Sequence, residues 1–343
     1  MTESPHVRAL IVGAGPIGLA CAISARRRSI DHLVIDGGAI ANSIVRYPIG
    51  MTFFTTPERL EIGGHPLTCA SAKPTREEAL KYYRGVVRTE ALNVRTFTRL
   101  IDAERHGNEI VCRLRTTSGT ETIACERLVV ATGYFDHANY LGVPGEELPH
   151  VQHWFDEAHL SCGLDVAVIG GKNSAVETAL QCFRAGARVT LIYRGKSLKP
   201  SVKFWLRPDL DNRITAGEIA IRYGAIVTAI SPDTVTIRTA DGSEENVRAT
   251  RVYALTGYHP DFDLLRSVGV HCDPDTGRPD LNAATRETNA PGVFLAGSVG
   301  AGRNISEVFI ENGRFDGERI FGDVTSRERA EQLYEESPRP IGE

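Results

Sequence analysis

The chain has 343 residues, 42% of them hydrophobic and 24% charged, with a formal net charge of −4. That composition is globular and long enough for about two domains, and the weak negative balance offers no basic footprint for nucleic acid or an anionic membrane. The one long uncharged run, residues 9–25, holds three glycines and a proline, and its arginines (Arg26, Arg27, Arg28) follow it rather than precede it. It therefore reads as folded strand and helix, not as a targeting signal or membrane span, and a soluble cytoplasmic protein is expected.

The predicted elements begin in that run. Residues 7–12 read as a strand that stops at Gly13-Ala14-Gly15-Pro16-Ile17-Gly18, and residues 19–23 open a helix. Residues 32–35 form a second apolar strand ending on Asp36. Strand, glycine turn, helix, strand and acid in this order are the dinucleotide-binding fingerprint in its required context. Gly13 permits the turn, Gly15 admits a pyrophosphate to the backbone, and Gly18 lets helix and strand close. Asp36 is placed to accept hydrogen bonds from a ribose, and the helix N-terminus offers N–H groups to the phosphates.

A loop of small residues follows, with Gly37, Asn42 and Ser43, suited to lie against an adenosine or a flavin. Residues 47–57, which include Thr52, are aromatic and hydroxyl-rich between prolines; they suit a ring pocket or a loop packed on itself. Thr75 and Glu78 form a capping box that predicts an amphipathic helix to about residue 89. Strands at 94–97, 110–115 and 120–123, with a turn at Ser118-Gly119, suggest a β-meander. A buried strand over 127–134 then carries Ala131-Thr132-Gly133.

A second strand, glycine turn and helix follow at residues 166–177, with Gly170-Gly171-Lys172-Asn173-Ser174 and Ala175 in the third-glycine place. The next strand, 189–193, does not end on an acid. Tyr193, Arg194, Lys196 and Ser197 stand there instead, and cationic groups at that place accommodate a 2′-phosphate, which points to NADPH. Residues 216–224 are weakly defined. Strands at 226–230, 234–239 and 246–248 read as a second meander, and the strand 251–258, with Thr256-Gly257, mirrors the first Ala-Thr-Gly strand. A buried strand over 292–298 carries Gly297-Ser298, a glycine-rich loop follows, and residues 305–321 carry a helix. Residues 325–343 read as a helix fragment and a flexible tail.

These landmarks predict an α/β fold of two Rossmann-like domains, each with a small β-meander, the second inserted into the first. Residues 1–135 and 255–343 form the FAD-binding domain and 136–254 the NADPH-binding domain. A hydride can then pass from nicotinamide to flavin. The seven cysteines (Cys21, Cys69, Cys112, Cys125, Cys162, Cys182, Cys272) are odd in number and form no Cys-x-x-Cys. That spacing argues against a disulfide framework and a zinc site, fits a reducing compartment, and leaves no metal expected.

The chain resembles the low-molecular-weight thioredoxin reductase superfamily along nearly its whole length, and within it the YpdA family of bacillithiol disulfide reductases. The closer match rests on Asn42-Ser43-Ile44, Tyr47-Pro48, Met51-Thr52-Phe53-Phe54, Leu60-Glu61-Ile62-Gly63, Lys73-Pro74-Thr75-Arg76, Tyr82-Tyr83-Arg84, the Gly170 turn, Tyr193-Arg194-Gly195 and Ile310-Glu311-Asn312-Gly313-Arg314-Phe315. The resemblance implies bound FAD, NADPH as reductant, a homodimer or larger homo-oligomer, and a low-molecular-weight disulfide as substrate. FAD contacts are expected from Gly13 to Gly18, Asp36, Gly37, Asn42, Ser43, Thr52, Ile101, Ala131, Thr132, Gly133, Gly297 and Ser298. NADPH contacts are expected from Gly170 to Ala175, Tyr193, Arg194, Lys196, Ser197 and Gly257. The helix in 305–321 is expected to aim its N-terminal end at the flavin pyrimidine ring.

Two departures stand out. Thioredoxin reductases carry a redox Cys-x-x-Cys before the second fingerprint, where this chain has only Cys162. The YpdA family often has an attacking cysteine where this chain has Ile17, and isoleucine cannot form the mixed disulfide; Cys69 is the alternative thiol. Electron transfer to a small redox protein such as ferredoxin or flavodoxin, and a non-enzymatic NADPH/FAD redox sensor, remain as other readings of the same scaffold.

Overall fold

A computed structural model describes residues 5–337. The described chain divides into two compact units, one of residues 5–45, 50–137 and 258–337, the other of residues 46–49 and 138–257. The strands run in chain order as β1 (His6–Val12), β2 (His32–Ile35), β3 (Val94–Arg95), β4 (Arg99–His106), β5 (Glu109–Thr116) and β6 (Gly119–Val130). They continue as β7 (Val151–Gln152), β8 (Asp165–Ile169), β9 (Arg188–Tyr193), β10 (Ile219–Tyr223), β11 (Ile226–Ser231), β12 (Thr234–Arg238), β13 (Glu244–Arg248), β14 (Arg251–Ala254) and β15 (Val293–Leu295).

In the first unit the sheet order is β3-β2-β1-β6-β5-β4, with β15 also on β6. β1 pairs in parallel with β2 and β6, so the strand order reverses at β1. The glycine turn that follows β1 thus sits at the switch point, outside the carboxyl ends of the strands, where open α/β sheets take ligands. Residues 9–12 of β1, residues 33–35 of β2 and residues 128–130 of β6 are apolar and buried, as strands covered on both faces must be.

β6 is a single strand rather than two. Residues 119–125 pair antiparallel with β5, residues 124–130 pair in parallel with β1, and β15 joins at residues 128–130. The strand is buried at residues 123–125 and 128–130, and the charged pair Glu126-Arg127 between them, exposed and half-buried, is what splits the apolar pattern in two. Helix Pro16–Arg27 buries Gly18 to Ala25 on the sheet and packs on helix Asp316–Phe321, with Ser24 Oγ donating to Gly317 O.

The second unit repeats the plan. Its sheet order is β10-β9-β8-β14-β7, all parallel, with β8 at the reversal. Helix Asn173–Arg184 follows the glycine turn, and β11-β12-β13 form a separate antiparallel meander. Residues 219–223, weakly defined in sequence, are the edge strand β10. Helix Arg207–Thr215 buries only Leu210, which is why no apolar stripe announced it.

One expectation at the C-terminal end is corrected. Residues 305–321 are not one helix but two short ones, Ile310–Gly313 and Asp316–Phe321. Asn312 accepts from Phe309 N and donates to Glu307 O, while Arg314 turns its guanidinium to the carbonyls of Glu58 and Glu61. The charged segment after 324 opens with the helix fragment expected there. Val324–Glu336 is a helix, capped by Asp323 and seated through Ala330, with Arg319 over the Tyr334 ring. The end of the predicted tail, 338–343, lies outside the described residues. Among the described residues no helix is long and apolar enough to cross a membrane.

Candidate functional site

The first glycine turn is built by close approach. Gly13 has φ +113°, and a Cβ on it would collide with the carbonyl of Ala131. A Cβ on Gly18 would collide with the carbonyl of Gly13. Gly15 differs: nothing of the first unit lies within 4 Å of the place its Cβ would take. Packing explains Gly13 and Gly18 but not Gly15, whose missing side chain leaves room for a ligand at the N-terminus of helix Pro16–Arg27. The strand ends are knitted around this place, with Gly13 N donating to Ile35 O at 2.7 Å, Ala131 N to Val12 O at 2.7 Å and Ala296 N to Val130 O at 3.0 Å.

Asp36 closes the turn from below. Its carboxylate accepts from Ala14 N at 2.7 Å and Gly38 N at 2.8 Å. Burial pushes its pKa up, and those two amides oppose the shift. Gly37 packs on Arg99, whose Nε would lie 3.2 Å from a Cβ there. The segment before Arg99 lines the same loop, with Thr98 N donating to Asp36 O and Phe97 N to Gly38 O. Phe97 is a non-glycine residue at φ +53° with 58% of its surface exposed. Phe97, Thr98 and Arg99 are site candidates that sequence reasoning missed; the pairing of β3 with β2 carries the chain that follows β3 past this loop.

Of the other expected flavin contacts, Gly133 and Ser298 meet across the turn, Ser298 Oγ lying 3.7 Å from a Cβ on Gly133. Thr132 carries a buried hydroxyl oxygen with no hydrogen-bond partner among the described residues, a polar atom that a bound group would satisfy. Asn42 folds over Gly38 and accepts from Ala39 N. Ser43 is half-buried in the same short helix, Asn42–Val45. Thr52 bridges to Thr75, and Arg76 ties that loop down through the carbonyls of Ile44 and Val45. Ile101 sits at a bulge in β4 with its carbonyl accepting from Ser267 Oγ at 3.5 Å.

Ile17 is packed rather than poised. Its Cδ1 would lie 2.6 Å from a Cβ on Gly297 and 2.7 Å from one on Gly313, so two bare glycines make its niche. Cys69 keeps to its own loop, donating to Ser71 O at 2.9 Å. Cys112 and Cys125 approach to 3.9 Å in the core, where the contact with Cys125 and then burial push the Cys112 thiol far up. Among the described cysteines none is disulfide-bonded.

The second turn has the same construction. A Cβ on Gly170 would lie 2.5 Å from Leu255 O and 2.9 Å from Ala175 Cβ. The Tyr193 ring lies over Gly171 and Gly195. Arg194, Lys196 and Ser197 are exposed at the end of β9, as is Ser174 at the helix start. Asn173 fixes the following loop, accepting from Lys203 N at 2.8 Å and donating to Ser201 O at 3.3 Å. That loop brings up Lys199: partial burial, and then Lys199, lower the Lys172 pKa. Lys199 carried no motif that marked it. Gly257 meets Asn139, whose amide nitrogen lies 3.2 Å from a Cβ there.

Comparison with known proteins follows the same lines. The pyridine nucleotide-disulphide oxidoreductase family matches residues 10–297. A protein named bacilliredoxin reductase Bdr, from Bacillus subtilis (strain 168), is 43% identical over 94% of this chain and 98% of its own. A structure titled bacillithiol disulfide reductase Bdr (YpdA) from Bacillus cereus superposes with a TM-score of 0.90 at 43% identity, covering 94% of this chain and 99% of that one. Its counterpart from Staphylococcus aureus gives 0.87 at 37% identity, covering 96% and 99%.

Proposed function

The chain belongs to the pyridine nucleotide-disulphide oxidoreductase family, and from that premise we propose that it is a cytoplasmic NADPH-dependent flavoenzyme that reduces a low-molecular-weight disulfide of the bacillithiol disulfide kind. The observation that carries this reading is the doubled site: two sheets in one chain, each with a glycine turn where its parallel strands reverse their order. The first turn, with Gly15 and the Thr132 hydroxyl, suits FAD. The second, with Lys172, Arg194, Lys196 and Lys199, suits NADPH. FAD, when bound, supplies the two-electron relay between nicotinamide and disulfide. The balance is one NADPH and one proton consumed for each disulfide converted to two thiols.

The residues of the chain hold and orient the reactants. The amide of Ala14 and that of Gly38 fix Asp36 beside the first turn, in reach of a ribose. Asn173 fixes the Lys199 loop at the second. The lack of a Cys-x-x-Cys leaves no internal relay for a thioredoxin, which favours a low-molecular-weight disulfide; with Ile17 offering no thiol, that disulfide is reduced by the flavin directly. A protein disulfide is the second reading, favoured by the naming of the Bacillus subtilis relative for bacilliredoxin. A homodimer or larger homo-oligomer is proposed on resemblance.

An anaerobic acceptor panel tests this. Purified protein is reduced with NADPH, the flavin is followed by absorbance, and bacillithiol disulfide, a disulfide-form bacilliredoxin, ferredoxin and flavodoxin are added in turn. Rapid reoxidation by bacillithiol disulfide is the expected result. Turnover no faster than the oxygen-driven background with that disulfide sinks the first reading, and preferential reoxidation by a protein acceptor replaces it.

A further inference from the structure

With residues 305–321 broken into two short helices, neither fragment is long enough to present a macrodipole to the turn at residues 297–301. A different source of positive charge is built behind that turn. Arg286 is buried, with 9% of its surface exposed, and its backbone is left-handed at φ +62°. A non-glycine residue persists there only where its surroundings fix it. They do: Arg286 Nε donates to Leu295 O at 3.1 Å, Leu295 N donates to Arg286 O at 3.0 Å, and a Cβ on Gly300 would lie 2.8 Å from Arg286 Nη2.

Asp316 completes the arrangement. It is fully buried and accepts from Gly297 N at 2.7 Å with Oδ2. Its Oδ1 faces Arg286 Nε at 3.5 Å and Arg319 Nη1 at 3.9 Å. That oxygen and Arg319 Nε have no hydrogen-bond partner among the described residues. Anchoring one amide needs only one acceptor. Two buried guanidiniums around one carboxylate exceed that need, and buried charge is costly unless something is gained from it.

We propose that Arg286, Asp316 and Arg319 are positioning residues for the flavin-facing turn 297–301, and that the net positive charge of this trio raises the reduction potential of the bound flavin. A hydride brings one negative charge to a neutral flavin, and a buried net positive charge nearby lowers the free energy of that product. This inference rests on the FAD reading of the first site.

The test is the flavin midpoint potential of the holoenzyme, from anaerobic titration against an indicator dye, together with the flavin retained after dialysis. Arg319→Met and Arg286→Met lower the potential, and Asp316→Asn raises it. Each shift is at least tenfold in the two-electron equilibrium, about 30 mV. Arg286→Lys keeps the charge and holds the potential, but loses flavin on dialysis because its planar contacts to Leu295 and Gly300 are gone. Should Arg286→Met not fold, Arg319→Met and Asp316→Asn carry the decision, since their shifts are of opposite sign. Potentials unmoved, or moved in the same direction by both, overturn the inference while the FAD reading stands. Wild-type protein that purifies without flavin overturns both.

Discussion

Ile17 occupies a niche shaped for a side chain larger than cysteine. Gly297 and Gly313 stay bare where its Cδ1 enters, so the first glycine turn is locked to the turn after β15 by apolar contact. Ile17→Cys then has two separable effects. Disulfide reductase activity rises, because a thiol in the turn can attack the substrate and form a mixed disulfide. Stability falls by about 1 kcal/mol, the usual scale for trimming a branched aliphatic side chain without refilling its place. Steady-state assays with bacillithiol disulfide and urea unfolding check the pair; an unchanged rate would mean that this position has no part in the chemistry here. At the same scale, Arg99 and Lys199 show what single letters do not carry. Each is an ordinary basic residue in sequence; only the fold sets Arg99 against Gly37 and lets Lys199 act on Lys172.

Helix Arg76–Thr89 is the element on which the loop 44–53 is hung, through Arg76 and the Thr52–Thr75 bridge. Its start is secured on both sides, with Thr75 Oγ1 accepting from Glu78 N at 3.2 Å and the Glu78 carboxylate accepting from Thr75 N at 2.8 Å. Those bonds, with one from Ala70 N, hold the Glu78 carboxyl below its usual range. Thr75→Ala is expected to cost about 1 kcal/mol in denaturant unfolding, and a loss under a few tenths would mean that the helix start is held by packing instead. This cap was legible because all its partners lie within four residues, and so were both glycine turns. What failed to show lacked local signal. β4 was unread because a bulge at Ile101 interrupts its alternation. β6 looked like two strands because the charged pair Glu126-Arg127 splits its apolar pattern. The break in 305–321 arises from Arg314 reaching Glu58 and Glu61, partners far away in sequence.

At the scale of the whole molecule, one plan is used twice: strand, glycine turn, helix, second strand, meander and a returning parallel strand. The second unit is nearly continuous, with residues 138–257 holding all its strands and its own core around Val168, Val176, Leu191 and Tyr253. A protein cut to residues 138–257 is therefore expected to fold and to bind NADPH in preference to NADH, with Arg194→Ala reducing the preference by tenfold or more. Calorimetric titration with both nucleotides checks this. Equal weakening of the two by the substitution would remove Arg194 from recognition of the 2′-phosphate.

The place of β15 has a consequence for the nascent chain. Leu128, Val129 and Val130 pair with Val293, Phe294 and Leu295, so the growing end of β6 leaves the ribosome long before its neighbour is made. Until then one flank of an apolar strand has its backbone donors and acceptors open, the kind of edge that templates aggregation. Meanwhile the inserted unit has all it needs to fold. The order of synthesis thus places a finished unit between the two halves of an unfinished one, and the last strand closes the edge. Truncation before residue 293 would leave that edge open for good.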